Sequence, residues 1–149
     1  MKSLLNAAES LDVIQRVHRL RPDTRAAWGK MDVAQMLAHC QAPLRVASGE
    51  LQLRRGLIGL LFGRMAKKKL LAEAPFDRDL PTSGAFRVTD ARDFALEKAN
   101  LVALVQRFQA GGPAGLTQKP HPFFGPLTPD EWGLLQWKHV DHHLRQFGA

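Results

Sequence analysis

Residues 128–148, TPDEWGLLQWKHVDHHLRQFG, combine a full set of helix-start signals with a cluster of histidines. Thr128 can cap a helix, Pro129 suits the first helical position, and the acidic residues that follow complement the positive end of the helix dipole. Glu131 can complete a capping box with Thr128. The stretch therefore predicts a long helix over Thr128 to Phe147.

Two histidines of this predicted helix share one face. At about 100° per residue, His139 and His143 lie only about 40° apart around the helix axis. Their Cβ atoms would be about 5 to 6 Å apart, so both imidazoles could meet at one metal ion. Other residues on this face are Trp132, Leu135, Gln136 and Gln146. Buried histidines are costly unless they are hydrogen-bonded or ligated. Spacing alone leaves both explanations open.

The histidine pair does not form a zinc-protease motif. That motif needs a glutamate directly after the first histidine as general base, whereas Val140 follows His139 here. Asp141 is predicted to face away from a metal held by the pair. His142 lies about 60° to the other side of His139, where it could replace a ligand or support one.

Three further segments have the apolar spacing of helices with one buried face. They run from about Leu4 to Leu20, from Asp32 to Ala47 and from about Asp90 to Gln109. Proline at position 22 ends the first helix. Asp32 and Gln35 form a capping box at the start of the second, and Pro43 is expected to kink that helix.

A long connection separates the second and third of these segments, from Gly49 to about Thr89. It is predicted to contain an apolar piece, a basic helical piece up to Ala72, and a loop with the breaker residues Pro75, Pro81, Ser83 and Gly84. Four principal helices, no strand alternation and one long crossover predict an all-α bundle. A chain of 149 residues with 45% apolar side chains fits a single domain over residues 1–149.

The remaining histidines and the cysteine have more than one interpretation. His39, on the second predicted helix, is either the third ligand or an interior histidine with hydrogen-bond partners. Cys40 is expected to be a small core residue, and as the only cysteine it excludes an internal disulfide. His121 either hydrogen-bonds near a pocket mouth or, as we favour, anchors its loop. His18 suits the C-terminal end of the first helix.

Charge gives weaker information about partners. The formal net charge is +7, and six cations are concentrated between Arg54 and Lys69, without interleaved aromatic residues that would indicate nucleic-acid binding. A solvated face is the favoured interpretation, followed by an anion-binding rim near a pocket. The missing aromatic residues argue against a nucleic-acid partner. Because neither a signal peptide nor an apolar run of about 18 residues is present, we also expect a cytoplasmic protein without a membrane partner.

Three segments together resemble the DinB/YfiT-like superfamily of metalloenzymes. They are residues 28–40 (WGKMDVAQMLAHC), residues 121–125 (HPFFG) and residues 137–148 (WKHVDHHLRQFG). More narrowly, they resemble a bacterial branch known only as a domain of unknown function. The likeness covers nearly the whole chain. Its specificity comes from one histidine in the second helix combined with an HxxxH pair followed by glutamine in the fourth.

The resemblance implies an up-down-down-up four-helix bundle with a three-histidine metal site at one end of a central pocket. The ligands carried over are His39, His139 and His143, and zinc or nickel is the usual metal. Some branches transfer low-molecular-weight thiols such as bacillithiol, mycothiol or glutathione. A metal-dependent enzyme acting on a small molecule is therefore expected, with thiol transfer as one reaction. Metal-dependent hydrolysis, non-catalytic binding of a small ligand, and a homodimer all stay open.

Overall fold

The structure is a computed structural model that describes residues 1–72, 74–78 and 84–149. Its α-helices are α1 (Ala7–Arg19), α2 (Val33–His39), α3 (Gln41–Ala47), α4 (Leu57–Leu71), α5 (Phe94–Gly111) and α6 (Pro129–Gln146). Short 3₁₀ helices cover Gly84–Phe86 and Gly112–Gly115. Within the described ranges there is no β-strand, only an isolated bridge between His121 and Gly125. The prediction of an all-α fold is confirmed.

Local capping signals position the helix starts. Both predicted capping boxes form, one at Asp32 with Gln35 and one at Thr128 with Glu131. The start of α5 was predicted too early, because the side chain of Asp93 caps this helix by accepting from the amide of Leu96 at 2.7 Å.

The first predicted helix also needs correction at its start. Asn6 caps α1 by accepting from the amides of Ala8 and Glu9. Leu4 therefore precedes the helix, although it is buried in the core as predicted.

The second predicted helix, Asp32 to Ala47, is two helices in the structure. The helix is interrupted at one residue, Cys40, which lies between α2 and α3. Pro43 has no N–H to donate to the carbonyl of His39, so the helical hydrogen-bond ladder is broken at this point. The consequence is that His39 ends α2.

The long crossover contains α4, which confirms its predicted helical piece. The predicted breaker residues Pro81 and Ser83 lie outside the described residues. None of the helices in the described ranges is long and apolar enough to cross a membrane.

The helices pack around one buried cluster of apolar side chains. α5 packs against α1, α2 and α3, while α6 packs against α1, α3 and α4. Fully or almost fully buried members of the cluster include Leu4, Val13, Met36, Leu37, Leu101, Val105, Trp132 and Leu144. This packing brings the C-terminal end of α2 beside the second half of α6.

Candidate metal centre

The three histidines selected from the sequence lie together between α2 and α6. Each of His39, His139 and His143 offers a ring nitrogen within 4.8 Å of the other two. The Nε2 atoms of His39 and His139 are 3.1 Å apart. The ring centroid of His143 lies 4.7 Å from that of His39 and 4.8 Å from that of His139. The predicted proximity is therefore confirmed.

The orientation of His39 is set by a backbone carbonyl. Its Nδ1 lies 2.7 Å from the carbonyl oxygen of Phe86, in the 3₁₀ helix that follows the crossover. A carbonyl oxygen only accepts, so Nδ1 carries the proton and donates it. The neutral ring of His39 consequently presents the lone pair of Nε2 to the other two histidines.

His143 is oriented in the same way by a side chain. Its Nδ1 lies 2.8 Å from Oε1 of Gln146. The amide nitrogen of Gln146 donates to the carbonyl oxygen of Trp28 at 2.6 Å, which leaves only its oxygen to face the imidazole. His143 therefore donates from Nδ1 and keeps a lone pair on Nε2. Such outer hydrogen bonds fix the tautomer and ring orientation of metal-binding histidines.

The donor set suits a divalent cation. Lone pairs directed at one another repel unless a proton or a cation lies between them, and neutral imidazoles are common ligands of zinc and related metals. His139 already contributes to this arrangement, because its Nε2 can donate to the lone pair of His39. Its Nδ1 is buried and has no hydrogen-bond partner within the described ranges. The three histidines could hold one metal ion.

Burial keeps these histidines neutral at neutral pH. It lowers the pKa of His39, with the hydrogen bond to Phe86 acting in the opposite direction. Burial lowers the pKa of His143 to about 3. The pKa of His139 lies well below its ordinary value because of burial and of the neighbouring histidines. Metal binding requires neutral imidazoles, so no net release of protons is needed at neutral pH, although the proton on Nε2 of His139 would have to move to Nδ1.

The family of the chain is shown by a comparison with family models. A model described as "Protein of unknown function (DUF1569)" matches residues 2–149. The chain belongs to the DUF1569 family. No curated protein matches it, and neither does any solved structure. Because the family description names no activity, the function of this DUF1569 chain has to be argued from its site.

Acidic side chains of α6 are directed elsewhere in this DUF1569 chain. Asp141 forms ion pairs with Arg16 of α1 at 2.8 Å and with Arg145 at 3.0 Å, so it faces away from the histidines as predicted. His142 lies outside the group of three, with its ring centroid 5.1 Å from that of His143 and 5.7 Å from that of Trp28. Across the described parts of the chain, no carboxylate joins the three histidines.

His121 and Cys40 have structural roles. Nδ1 of His121 accepts from the amides of Phe123 and Phe124 at 3.0 and 3.2 Å, and its ring centroid is 5.3 Å from that of Trp132. The prediction that His121 anchors its loop is confirmed. Cys40 is a fully buried core residue, as predicted, and burial raises the pKa of its thiol.

The basic stretch, for which an anion-binding rim was the second interpretation, divides into separate contacts. Lys67 pairs with Glu131 at 2.8 Å, at the start of α6 and about 12 Å along the helix from His139. Lys69 pairs with Asp77. These cations bind neighbouring acidic groups of the chain itself. Lys67 therefore has a structural contact at the start of α6, whereas the exposed pair of Lys69 and Asp77 contributes little to stability.

The sequence did not reveal every residue that shapes the site. Phe86 and Trp28 act through backbone carbonyls, and side-chain patterns carry no signal for such contacts. Gln136 was noted only as sharing the histidine face. It is 0% exposed, and both atoms of its amide lack hydrogen-bond partners in the described parts of the structure. A buried glutamine one turn before His139 is the signal that could have marked it.

Proposed function

We propose that this protein is a metal-dependent enzyme in which His39, His139 and His143 hold one divalent ion, zinc or nickel. The observation that carries the proposal is the paired orientation of His39 and His143, whose Nδ1 atoms are bound by fixed acceptors so that both Nε2 atoms face the cluster. Metal-binding histidines almost always donate their other ring N–H to such an acceptor, and here two separate acceptors leave the Nε2 atoms of both rings for the shared centre.

The proposal includes the DinB-like arrangement of an up-down-down-up four-helix bundle. In this assignment α2 and α3 together form the second bundle helix, and α4 lies in the crossover. The packing of α5 against α1, α2 and α3, and of α6 against α1 and α3, supports it. The resemblance of the histidine-containing segments to that superfamily is consistent with the same assignment.

The ligand set favours a catalytic centre over a structural one. Structural zinc sites have four protein ligands, whereas three protein ligands leave a position open for water or substrate. An ion bound by three neutral histidines would supply a strong positive charge that lowers the pKa of a bound water or thiol. In the described ranges, the candidate group contains only the three histidines.

Thiol transfer is the preferred reaction. Asp141 is held by Arg16 and Arg145, so α6 provides no carboxylate to act as general base for a water molecule. A low-molecular-weight thiol needs less help from a base, because its sulfur loses a proton far more readily than water does. The protein would then orient the thiol and its electrophilic partner. Metal-dependent hydrolysis is the alternative reaction.

A non-catalytic ligand-binding protein is the second candidate function, and Gln136 favours it. A buried amide without partners is costly. A small polar ligand that reaches the histidine face would give both amide atoms a hydrogen-bond partner. In an enzyme the same amide would orient the substrate, so Gln136 supports binding of a small molecule in either case.

Metal analysis followed by thiol titration tests the proposal. Protein purified without a histidine tag is expected to contain about one divalent ion per chain. Calorimetry with glutathione, bacillithiol and mycothiol should then show tighter binding to the metal-loaded protein than to the apo form, and turnover with electrophilic acceptors should follow. Lack of metal would contradict the site. Metal without thiol preference would contradict thiol transfer and favour hydrolysis or simple ligand binding.

A further inference from the structure

One side of α4 exposes an unusual number of large apolar side chains. Leu57, Leu61 and Met65 are 77%, 76% and 66% exposed, and Ile58 and Phe62 are also exposed. At about 100° per residue, these five side chains form one continuous stripe along the first two to three turns. Single exposed apolar residues are ordinary, but a contiguous patch marks an interaction surface.

The opposite side of α4 is fixed to the protein and keeps the stripe outward. A Cβ atom on Gly59 would lie 2.8 Å from the carbonyl oxygen of Pro122, and one on Gly63 would lie 2.2 Å from that of Phe123. The helix backbone thus rests directly on the loop that His121 anchors. Rolling α4 inward to bury Leu61 would drive side chains into that loop. The exposure of the stripe is therefore enforced by the packing of the glycines.

A second clamp holds the C-terminal end of α4. The ammonium group of the buried Lys138 donates to the carbonyl oxygen of Leu70 at 2.7 Å and also to that of Ala72. A cation at the C-terminal end of a helix satisfies carbonyls that lack helical partners. Both ends of the packed side are consequently tied to the rest of the protein.

The charge on the segment that carries the stripe is of one sign, although Glu131 and Asp77 pair with its Lys67 and Lys69. Between Leu51 and Ala72 the sequence has six basic residues and no acidic one. Arg64 is exposed and lies beside the stripe in the helical projection, between Leu57 and the exposed Leu60. Lys68 is also exposed and continues the face of the stripe towards the C-terminal end of α4. A second copy of the chain docked through this surface would bring like charges together. An occupant that is apolar in its centre and anionic at its rim complements this surface better.

We propose that α4 is an interfacial anchor that lies in the headgroup layer of an anionic lipid bilayer. Leu57, Ile58, Leu61, Phe62 and Met65 would enter the acyl boundary while the flanking cations meet lipid phosphates. A helix with an apolar face and lysine or arginine beside it binds membrane surfaces in this orientation, without crossing them.

This anchor is independent of the proposed enzyme, and it differs from the expectation that the protein has no membrane partner. Its position has one consequence for the site. α4 contacts α6, the helix that carries His139 and His143, so the anchor would hold the metal centre close to the membrane surface.

Vesicle co-sedimentation of the full chain tests the anchor. The double variant Leu57→Gln/Leu61→Gln changes only exposed side chains, and Leu11→Gln/Leu96→Gln is its matched control on exposed positions of α1 and α5. Circular dichroism would establish that each variant folds. The wild type and the control should sediment with vesicles of equal parts phosphatidylserine and phosphatidylcholine. The α4 variant should bind at least about tenfold more weakly.

Binding should also weaken with pure phosphatidylcholine, at high salt, and in Lys68→Gln. The proposal would be overturned if the wild type did not sediment with the anionic vesicles, or if the α4 variant and the control bound equally. A concentration-dependent dimer in lipid-free sedimentation that is lost in the α4 variant would assign the stripe to a second copy of the chain instead.

Discussion

The Nδ1 atom of His143 lies 2.8 Å from Oε1 of Gln146, and this glutamine connects the imidazole to the backbone of the loop before α2 through the carbonyl of Trp28. His143 and Gln146 are three residues apart on α6, so the helix itself makes their contact possible. The link to Trp28 is tertiary. A single amide thereby sets both the tautomer of His143 and the orientation of its ring.

Removing each proposed ligand should remove the metal. We expect His39→Ala, His139→Ala and His143→Ala each to lose most of the bound ion, because two remaining imidazoles hold a divalent ion weakly. His121→Ala and His18→Ala should retain it, since neither residue belongs to the group of three. Elemental analysis measures the metal content. A full complement of metal in any of the first three variants would exclude that residue as a ligand.

Gln146→Ala should weaken metal binding without removing a ligand. Loss of the acceptor frees the ring of His143 to rotate and to change tautomer, and we expect affinity to fall about 10- to 100-fold. Competition with a chelator of known affinity measures the change. Gln15→Ala, at an exposed position of α1, is the control. An unchanged affinity in Gln146→Ala would show that the hydrogen bond does not support metal binding.

Gln136→Leu should weaken binding of a substrate without lowering the stability of the fold. Leucine removes two unpaired buried polar atoms, so the free energy of unfolding should stay the same or rise by about 1 to 2 kcal/mol. If the amide binds the substrate, affinity for that substrate should fall in the same variant. Urea unfolding and calorimetric titration measure the two effects. A clear loss of stability would show that the amide has a partner in the folded protein.

Gly63→Ala should destabilise the protein. The added Cβ would lie 2.2 Å from the carbonyl oxygen of Phe123, a backbone atom that cannot move aside cheaply, and overpacking typically costs about 1 to 3 kcal/mol. Gly115→Ala is the matched control, because nothing lies within 4 Å of its added Cβ. Urea unfolding compares the two. Equal stability of both variants would mean that α4 does not rest on the loop after His121.

Acid should weaken the loop at His121. Burial lowers the pKa of His121 from 6.5 to about 4, so the unfolded chain binds more protons between these pH values. Neutral His121 therefore contributes on the order of 1 to 3 kcal/mol to the free energy of unfolding. This contribution is complete above about pH 6.5. It is lost as the pH falls towards about 4. Protonation of Nδ1 would also break both hydrogen bonds from the amides of Phe123 and Phe124.

The control for this pH effect is His121→Asn. An asparagine oxygen can accept from the amides two and three residues ahead, but the side chain does not titrate. Chemical unfolding measured from pH 7.5 to 4.5 should give a smaller loss of stability for this variant than for the wild type. Equal slopes would assign the acid sensitivity to other groups.

The sequence by itself determined the features that depend on neighbouring residues. Thr128 and Glu131 placed the start of α6, because capping is made within one turn. The HxxxH spacing put His139 and His143 on one face, since helical geometry leaves no other arrangement. Asp141 was correctly predicted to face away for the same reason. The break at Cys40 was only half foreseen: Pro43 was expected to kink the helix, and the loss of its N–H divides the segment into α2 and α3.

Tertiary structure decided what these local elements meet. His39 gained its orientation from the carbonyl of Phe86, and His143 gained its own through the carbonyl of Trp28. Backbone acceptors from distant segments leave no trace in side-chain patterns. The outward stripe of α4 was equally hidden, because its apolar residues resemble those of a buried helix until the contact of Gly63 with Phe123 shows which side faces the protein. Local spacing fixes which residues share a face, whereas only the packing of distant segments fixes what that face contacts.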